Sequence, residues 1–170
     1  MTFAIRAMQS GDLEAVLLIA AESPEAPQWP RLAYTPYLAA DPGNSALRRA
    51  AWVATDEGGP AVHAFACATL LLDGVQNLCQ LDSTAVLPTV RRQGIGAALL
   101  RESLGWAARS GARHFSLEVR ASNSAAIGLY RRFGLRPEGR RARYYADPEE
   151  DALLLGIQVT LGGYDAAFPP

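Results

Sequence analysis

Residues 85–100 read AVLPTVRRQGIGAALL, in which two arginines precede two glycines and an apolar run. After Gly96, apolar residues recur at spacings of three and four, as in an amphipathic helix, and Ser110-Gly111 supplies an end signal. A glycine turn before a helix can bind phosphate, because backbone N–H groups converge there at the positive end of the helix dipole. The stretch therefore predicts a phosphate-binding turn, or else a helix start whose glycine serves only close packing.

Two common phosphate-binding patterns are excluded at this turn. The Walker pattern ends in a Lys-Ser or Lys-Thr pair, and the chain contains no lysine. The dinucleotide pattern GxGxxG requires glycine or alanine at its third position, where this chain has Leu99. That pattern also follows the first strand of a parallel sheet, whereas four predicted strands precede this turn.

The elements before the turn begin with a strand at residues 3–8 and a helix that Asp12 would cap. A proline-rich loop follows, and a second helix at about residues 30–40 ends at the turn signal DPGN. Three runs with strand character come next, separated by turn-forming residues as in an antiparallel meander. These runs are residues 48–57, 62–74 and 75–88.

After the turn, the pattern changes to helix, strand, helix and hairpin. HFSLEVRA at residues 114–121 alternates apolar and polar side chains, and SNS at 122–124 supplies N-caps for a helix that Gly134 ends. Two further strands are joined by the acidic turn ADPEED. The whole order predicts an α+β fold with a mixed, mostly antiparallel sheet of about six to seven strands and helices on both faces.

Length and composition favour one compact domain. The chain has 170 residues, of which 49% are hydrophobic, and this suits a single domain at residues 1–160 with a poorly ordered tail at residues 161–170. Its apolar runs fall short of the roughly 18 to 20 residues of a membrane-spanning helix. The first residues also lack the apolar core of a signal peptide. We therefore expect a cytoplasmic protein that does not enter a membrane.

The potential metal ligands are few and scattered. Cys67 and Cys79 lie in apolar stretches without CxxC spacing, and the chain has only two histidines, His63 and His114. We therefore expect two buried thiols and no metal site.

The formal net charge of −1 conceals a strong segregation along the chain. Residues 1–90 carry 4 arginines and 9 acidic residues (net −5), whereas residues 91–143 carry 12 arginines and 3 glutamates (net +9). Residues 144–170 carry 5 acidic residues and no arginine (net −5). The basic block admits three interpretations: a solvated surface, attraction of a cofactor's phosphates, or binding of ribosomal RNA. Because it lacks interleaved aromatic residues, we expect no stable nucleic-acid binding.

The turn and the segments after it resemble a known family. AVLPTVRRQGIGAALL resembles the acetyl-CoA signature of the GCN5-related N-acetyltransferase (GNAT) superfamily, whose pattern Arg/Gln-x-x-Gly-x-Gly/Ala is matched by Arg91, Gly94 and Gly96. LEVRASNSAAIGLYRRFGL and YYADPEEDALLL are similar to the later segments of the ribosomal-protein N-terminal alanine acetyltransferase (RimI-like) subgroup. The resemblance covers about residues 80–155 and implies the GNAT fold, with a splayed parallel pair of central strands.

The resemblance also implies acetyl-CoA as co-substrate. Backbone N–H groups of the turn would cradle the pyrophosphate, and the preceding strand would pair with the pantetheine arm. A bulge in that strand would aim an N–H at the thioester oxygen, as an oxyanion hole. The implied cofactor-binding residues are Thr84, Ala85, Val86, Arg91, Arg92, Gln93, Gly94, Ile95, Gly96, Ala97 and Asn123.

Glu118 and Tyr130 are the catalytic pair that the resemblance implies. In the subgroup, the glutamate of LEVRASN takes the amine proton, directly or through water, and the tyrosine of ASNSAAIGLY protonates the departing CoA thiolate. The alternatives are a solvated glutamate paired with Arg120 or another cation, and a tyrosine that only packs in the core. Because no cysteine is placed to form an acyl-enzyme, we expect direct attack in a ternary complex.

Several acceptors are compatible with the resemblance. The subgroup implies a protein N-terminal α-amine, whereas other members of the superfamily acetylate small amines, antibiotics or lysine side chains. A non-catalytic acyl-CoA-binding regulatory module is a further alternative. Asp82 and Ser83 depart from the more apolar strand usual in the subgroup and could contact a different acceptor, and Trp29, Tyr144 and Tyr145 are candidate walls of the acceptor site. We expect a monomer or a homodimer.

Overall fold

The computed structural model describes residues 2–39 and 45–160, which contain seven strands, four α-helices and two short 3-10 turns. The strands are β1 (Phe3–Ala7), β2 (Leu47–Asp56), β3 (Val62–Leu71), β4 (Leu78–Val86), β5 (His114–Arg120), β6 (Arg136–Ala146) and β7 (Glu149–Gln158). The helices are α1 (Leu13–Ala21), α2 (Arg31–Leu38), α3 (Ile95–Arg109) and α4 (Ser124–Arg132). The DPGN turn and the tail at residues 161–170 lie outside the described residues.

The strands form one mixed sheet in the order β1-β2-β3-β4-β5-β7-β6. Strands β1 to β4 are successive antiparallel neighbours, which confirms the predicted meander. The parallel pair is β4 and β5, which are paired from Leu78 and His114 only as far as Leu81 and Leu117, although β4 continues to Val86. The two strands therefore part at their C-terminal ends, as predicted for a splayed central pair.

A bulge in β4 lies where the two strands part. Leu81 and Ser83 pair with consecutive residues of β3, so Asp82 is the extra residue of the bulge. An extra residue reverses the in-and-out alternation of the side chains that follow it. Accordingly, Leu81 belongs to the core on one face of the sheet and Ala85 to the core on the other. The bulge thus re-aims the last residues of β4.

Helices cover both faces of the sheet, as predicted. Helices α3 and α4 pack on one face, and α1 and α2 pack on the other. The first core contains Leu99, Leu104, Phe115, Ile127 and Tyr130, and the second contains Val16, Ile19, Tyr34, Phe65 and Val53. Both cysteines are buried and free, as predicted. Within the described ranges, no helix has the length and apolarity needed to cross a membrane.

Two local predictions need correction. The strands predicted at 62–74 and 75–88 leave too little room for the turn between them, since β3 ends at Leu71 and β4 begins at Leu78. The Asp73 carboxylate accepts hydrogen bonds from the N–H groups of Val75, Gln76 and Asn77 and holds these residues in a turn. Asp12 is the N-cap residue of α1, as predicted, but its carboxylate makes no cap bond to that helix. It accepts two hydrogen bonds from Arg6 and one from the N–H of Gln9.

Candidate active site

A cleft of about 700 Å³ opens where β4 and β5 part. Its walls come from the loop between α1 and α2, the end of β4, the glycine turn, the first turn of α3, the middle of β5, helix α4 and the hairpin strand β6. Every residue predicted for cofactor, acceptor or catalysis lines this cleft except Gln93, which is exposed. One surface of the molecule therefore gathers residues spread from Trp29 to Tyr145.

The glycine turn has the geometry of an anion cradle. Arg92 and Gly94 both adopt left-handed backbone conformations, with φ of 65° and 84°. Such turns point successive N–H groups into one concavity. The first backbone bond of α3 runs from Ala98 N to Gly94 O, and no side chain caps the helix at Gly94. The earlier N–H groups of α3 thus remain available to an anion in the cleft.

The second glycine of the turn allows close packing. A Cβ atom at Gly96 would lie 3.4 Å from Leu129 Cδ2 and 3.8 Å from Val86 Cγ2. Gly94, in contrast, has open space where a Cβ would be, and its requirement is the left-handed backbone. The two glycines therefore serve different purposes, one conformational and one steric.

Arg91 fastens the turn to its surroundings. Its Nε donates to the carbonyl of Val86 at 2.9 Å, and its Nη2 donates to Ser23 Oγ at 3.2 Å and to Glu25 Oε1 at 2.5 Å. The side chain therefore links the turn to β4 and to the loop after α1. Arg92 and Arg132 line the cleft as well, whereas Arg131 does not.

Tyr130 lies both in the core and at the cleft. It is 6% exposed and belongs to the core under α4, and it also lines the cleft. Burial, with a smaller contribution from Tyr145, raises the pKa of Tyr130 above its ordinary value. A phenol keeps its proton at neutral pH, and a raised pKa extends this protonated range to higher pH while making the group a weaker acid. Asn123 caps the same helix by accepting a hydrogen bond from the N–H of Ala126 at 3.1 Å.

Glu118 lies on β5 and is held by the hairpin. Arg141 Nε donates to Glu118 Oε1 at 2.6 Å, and the Arg141 guanidinium lies 5.6 Å from the ring centre of Tyr144. A hydrogen bond to Glu118 raises the pKa of Tyr144. The Glu118 side chain is 15% exposed. The carboxylate is therefore in the cleft, but one of its oxygens already has a cationic partner.

The alternative prediction for Glu118 was a pair with Arg120 or another cation, and the structure shows another cation, Arg141. Arg120 is engaged elsewhere. Arg120 Nη1 donates to Glu150 Oε1 at 3.0 Å, and the Arg120 guanidinium lies 4.2 Å from the ring centre of Tyr145. Burial and the nearby Glu118 raise the pKa of Tyr145 to about 12. The rings of Tyr144 and Tyr145 meet edge to face, with centroids 5.2 Å apart. Both tyrosines thus form part of the cleft wall.

The opposite wall comes from the loop before α2, which includes Trp29, and from β4. The Trp29 ring stacks on Tyr37 with centroids 5.8 Å apart, and the Tyr37 hydroxyl donates to Asp82 Oδ2 at 2.9 Å. Burial raises the pKa of Asp82, although the hydrogen bonds from Thr69 and Tyr37 oppose this effect. The bulge implied for β4 is centred on Asp82, two residues before Thr84.

Two residues of this region escaped the sequence analysis. Arg141 is one of 16 arginines, and nothing in its local pattern marks it as the partner of Glu118. Tyr37 follows Tyr34 by three residues in α2, so a shared helix face could have been recognised. Its contact with a residue of β4 could not.

Comparisons with known proteins show the family of the chain. The family model described as "Acetyltransferase (GNAT) family" matches residues 13–135. A ribosomal protein bS18-alanine N-acetyltransferase of Escherichia coli strain K12 is 37% identical over 100 residues, which are 58% of this chain and 65% of that protein. An N-alpha-acetyltransferase of Sulfurisphaera tokodaii is 44% identical over 91 residues, 48% of this chain and 54% of that protein. The chain thus spans less than two thirds of the length of these curated relatives.

Solved structures extend the similarity over nearly the whole chain. The crystal structure of the ribosomal-protein-S18-alanine N-acetyltransferase from Escherichia coli has a TM-score of 0.75 and 28% identity, and the match covers 98% of this chain and 100% of that one. Arabidopsis thaliana NAA60 in complex with acetyl-CoA has a TM-score of 0.77 at 20% identity, covering 93% and 99%, and shows a shared fold alone.

Proposed function

Since the chain belongs to the GNAT family of acetyltransferases, we propose that it transfers an acetyl group from acetyl-CoA to a protein N-terminal α-amine, as a ribosomal-protein-alanine N-acetyltransferase. The observation that carries the proposal is the meeting of the glycine turn, Glu118 and Tyr130 in one cleft. A ribosomal acceptor would place the reaction in the cytoplasm. We assign the activity to a single domain at residues 1–160.

The turn fits a pyrophosphate group. The left-handed Arg92 and Gly94 and the uncapped first turn of α3 offer N–H donors, and Arg92 and Arg132 add positive charge to the same cleft. The open edge of β4 beyond Leu81 offers backbone groups to an extended arm, from Thr84 through Val86. Acetyl-CoA, when bound, supplies the thioester whose carbonyl carbon the amine attacks. The side chains that lie near the thioester come from β4 and from β5, the two strands of the splayed pair.

Glu118 is the proposed general base. An α-amine has a pKa near 8, so at neutral pH it must lose a proton before it becomes nucleophilic. The Glu118 carboxylate accepts this proton, directly or through a water molecule. Arg141 and Tyr144 hold the carboxylate in one orientation during this step.

Tyr130 is the proposed general acid. Its hydroxyl is protonated at neutral pH and donates this proton to the leaving thiolate, and the raised pKa keeps the hydroxyl protonated at higher pH. Cys67 and Cys79 are buried and neither lines the cleft. This supports direct attack by the amine rather than a covalent acyl-enzyme.

Two measurements test the proposal. Saturating CoA is expected to raise the melting temperature while NAD and ATP leave it unchanged, because a ligand stabilises by RT ln(1 + [L]/Kd). Acetylation is then measured on peptides that begin with Ala, Ser or Met, on an acetyl-Ala peptide, and on spermine and an aminoglycoside. Turnover of the free-amine peptides supports the proposal. Turnover of spermine or the aminoglycoside alone would replace it with a small-molecule acetyltransferase, and CoA binding without any turnover would indicate a regulatory module.

A further inference from the structure

The bulge in β4 places two polar side chains on the acceptor side of the cleft. Asp82 is the extra residue, and Ser83 follows it at the point where the alternation of side chains reverses. Both residues line the cleft. Tyr37 of α2 holds Asp82 through its Oδ2, and Thr69 Oγ1 of β3 donates to the Tyr37 hydroxyl at 3.4 Å. The carboxylate is therefore fixed by two neighbouring elements rather than free to turn away.

Ser83 is a buried hydroxyl with no bonding partner in the described parts of the chain. The residue is 3% exposed, and its Oγ makes no hydrogen bond there. Buried hydroxyl groups in proteins are almost always hydrogen-bonded, because a buried hydroxyl without a partner loses its hydrogen bonds to water and gains none in return. Since Ser83 also lines the cleft, its missing partner is expected to arrive with a ligand.

Three carboxylates line the cleft, those of Glu25, Asp82 and Glu118, and they differ in their compensation. Arg91 pairs with Glu25 at 2.5 Å. Arg141 pairs with Glu118 at 2.6 Å. The ion pairs among the described residues leave Asp82 without a cation at that range. Arg49 of β2 acts on Asp82 only through space and lies 5.9 Å from the ring centre of Tyr37. An incoming cation therefore finds its unneutralised partner on β4, not on β5.

The remaining neighbours of Asp82 do not supply positive charge. They are the hydroxyl groups of Tyr37 and Thr69 and the thiols of Cys67 and Cys79, both of which are neutral because burial raises the pKa of each. Burial likewise raises the pKa of Asp82, because it disfavours the charged carboxylate, and a bound cation would offset this cost. These surroundings suit a ligand that brings a positive charge with it.

We propose that Asp82 and Ser83 form the subsite for the α-ammonium group of the acceptor, an assignment that rests on the proposed function. An ammonium group has three N–H donors. The Asp82 carboxylate and the Ser83 hydroxyl accept two of them from the β4 side, and the third points toward Glu118 on β5. The N–H bond facing Glu118 breaks, its proton passes to the Glu118 carboxylate, and the electron pair stays on nitrogen. The neutral amine remains held by Asp82 and Ser83.

The division of labour predicts opposite kinetic signatures for the two carboxylates. Asp82→Asn keeps the size and the hydrogen bond from Tyr37 but removes the charge, so the KM for an alanine peptide rises about tenfold or more while kcat changes less than about threefold. Ser83→Ala raises the same KM about threefold. Glu118→Gln lowers kcat about 100-fold with little change in KM. Asp56→Asn is the matched control, because Asp56 pairs with His63 outside the cleft.

A binding experiment separates the subsite from turnover. In the presence of CoA, calorimetry compares an alanine peptide with the isosteric peptide that begins with lactic acid and carries no charge. The wild type and Glu118→Gln are expected to prefer the amine about tenfold or more, and Asp82→Asn is expected to bind both peptides alike. The CoA-induced thermal shift of each variant verifies that the cofactor side is intact.

The outcomes distinguish the two levels of the assignment. A wild type that acetylates peptides, with an Asp82→Asn variant of unchanged KM and unchanged amine preference, overturns the subsite and leaves the acetyltransferase standing. Loss of the amine preference in Glu118→Gln alone would move the ammonium group to β5. A wild type that binds CoA but acetylates no amine overturns the proposed function and the subsite together.

Discussion

The guanidinium of Arg141 donates a 2.6 Å hydrogen bond to the carboxylate of Glu118, across 23 residues of sequence. One residue lies on the sixth strand and the other on the fifth, with β7 between them in the sheet. The proposed base is therefore held in place by a side chain from the hairpin. The same side chain is 56% exposed, so its loss should disturb little else.

Replacing Arg141 with alanine is expected to lower kcat about threefold to tenfold, because the base stays but loses its fixed orientation. Arg141→Lys should recover part of the loss. Steady-state kinetics on an alanine peptide check this, with Arg109→Ala as control, since Arg109 pairs with Glu102 on the surface of α3. An Arg141→Ala variant with wild-type kcat would remove the positioning role.

Replacing Tyr130 with phenylalanine is expected to lower kcat about tenfold to 100-fold, because the leaving thiolate loses its proton donor. The ring still fills the core, so the free energy of unfolding should change by less than about 1 kcal/mol. Since the pKa of Tyr130 is raised, its proton is retained as the pH rises to the ordinary tyrosine value. A pH profile that loses activity below that value must therefore be assigned to another group. Full turnover by the phenylalanine variant would contradict the role.

Replacing Gly94 with alanine is expected to cost about 1 kcal/mol of stability, because the left-handed backbone at φ of 84° penalises a Cβ atom. It should also weaken CoA binding, measured as a smaller thermal shift. Gly128→Ala is the matched control: this glycine lies inside α4 with open space around it, so alanine should stabilise by about 0.5 to 1 kcal/mol. Equal effects of the two substitutions would refute the conformational argument.

Stability should depend on the Arg6–Asp12 pair in the acid range. The hydrogen bond from Arg6 lowers the pKa of Asp12 below its ordinary value of 3.8. A lowered folded-state pKa contributes stability that is complete above the unfolded-state pKa and is lost as the pH falls through the folded-state pKa. Asp12→Asn is therefore expected to cost about 1.5 to 3 kcal/mol at pH 7 and progressively less below about pH 4. Denaturant titrations of the wild type and the variant, at pH 7 and below about pH 4, test this. A cost that does not shrink in acid would contradict it.

Local patterns accounted for the elements that carry their own signals. The turn from Arg91 to Gly96, the alternation in β5 and the cap at Asn123 each depend on residues close in sequence, so they were predictable. The pairs that finish the site join distant elements. Tyr37 reaches Asp82 across 45 residues, and its partner follows from how α2 packs on the sheet rather than from any motif.

The β4 bulge illustrates the same limit. An extra residue at Asp82 changes which face each later side chain occupies, and strand propensity does not indicate where such a residue falls. The resemblance implied a bulge near Thr84 but did not indicate that Asp82 is its extra residue. The resulting orientation of Asp82 and Ser83 became visible only with the register of β3 against β4.

Both thiols of the protein are buried, and burial raises the pKa of Cys67 and of Cys79. Only the thiolate form of a cysteine reacts readily, so neither side chain will consume a thiol-specific dye while the protein stays folded. The chain also has no lysine, hence no side-chain amine that acetic anhydride or a donor thioester could label. A colorimetric assay of liberated CoA therefore has no background from the thiols of the folded protein, and a mass measurement of acetylated side chains has none from lysine.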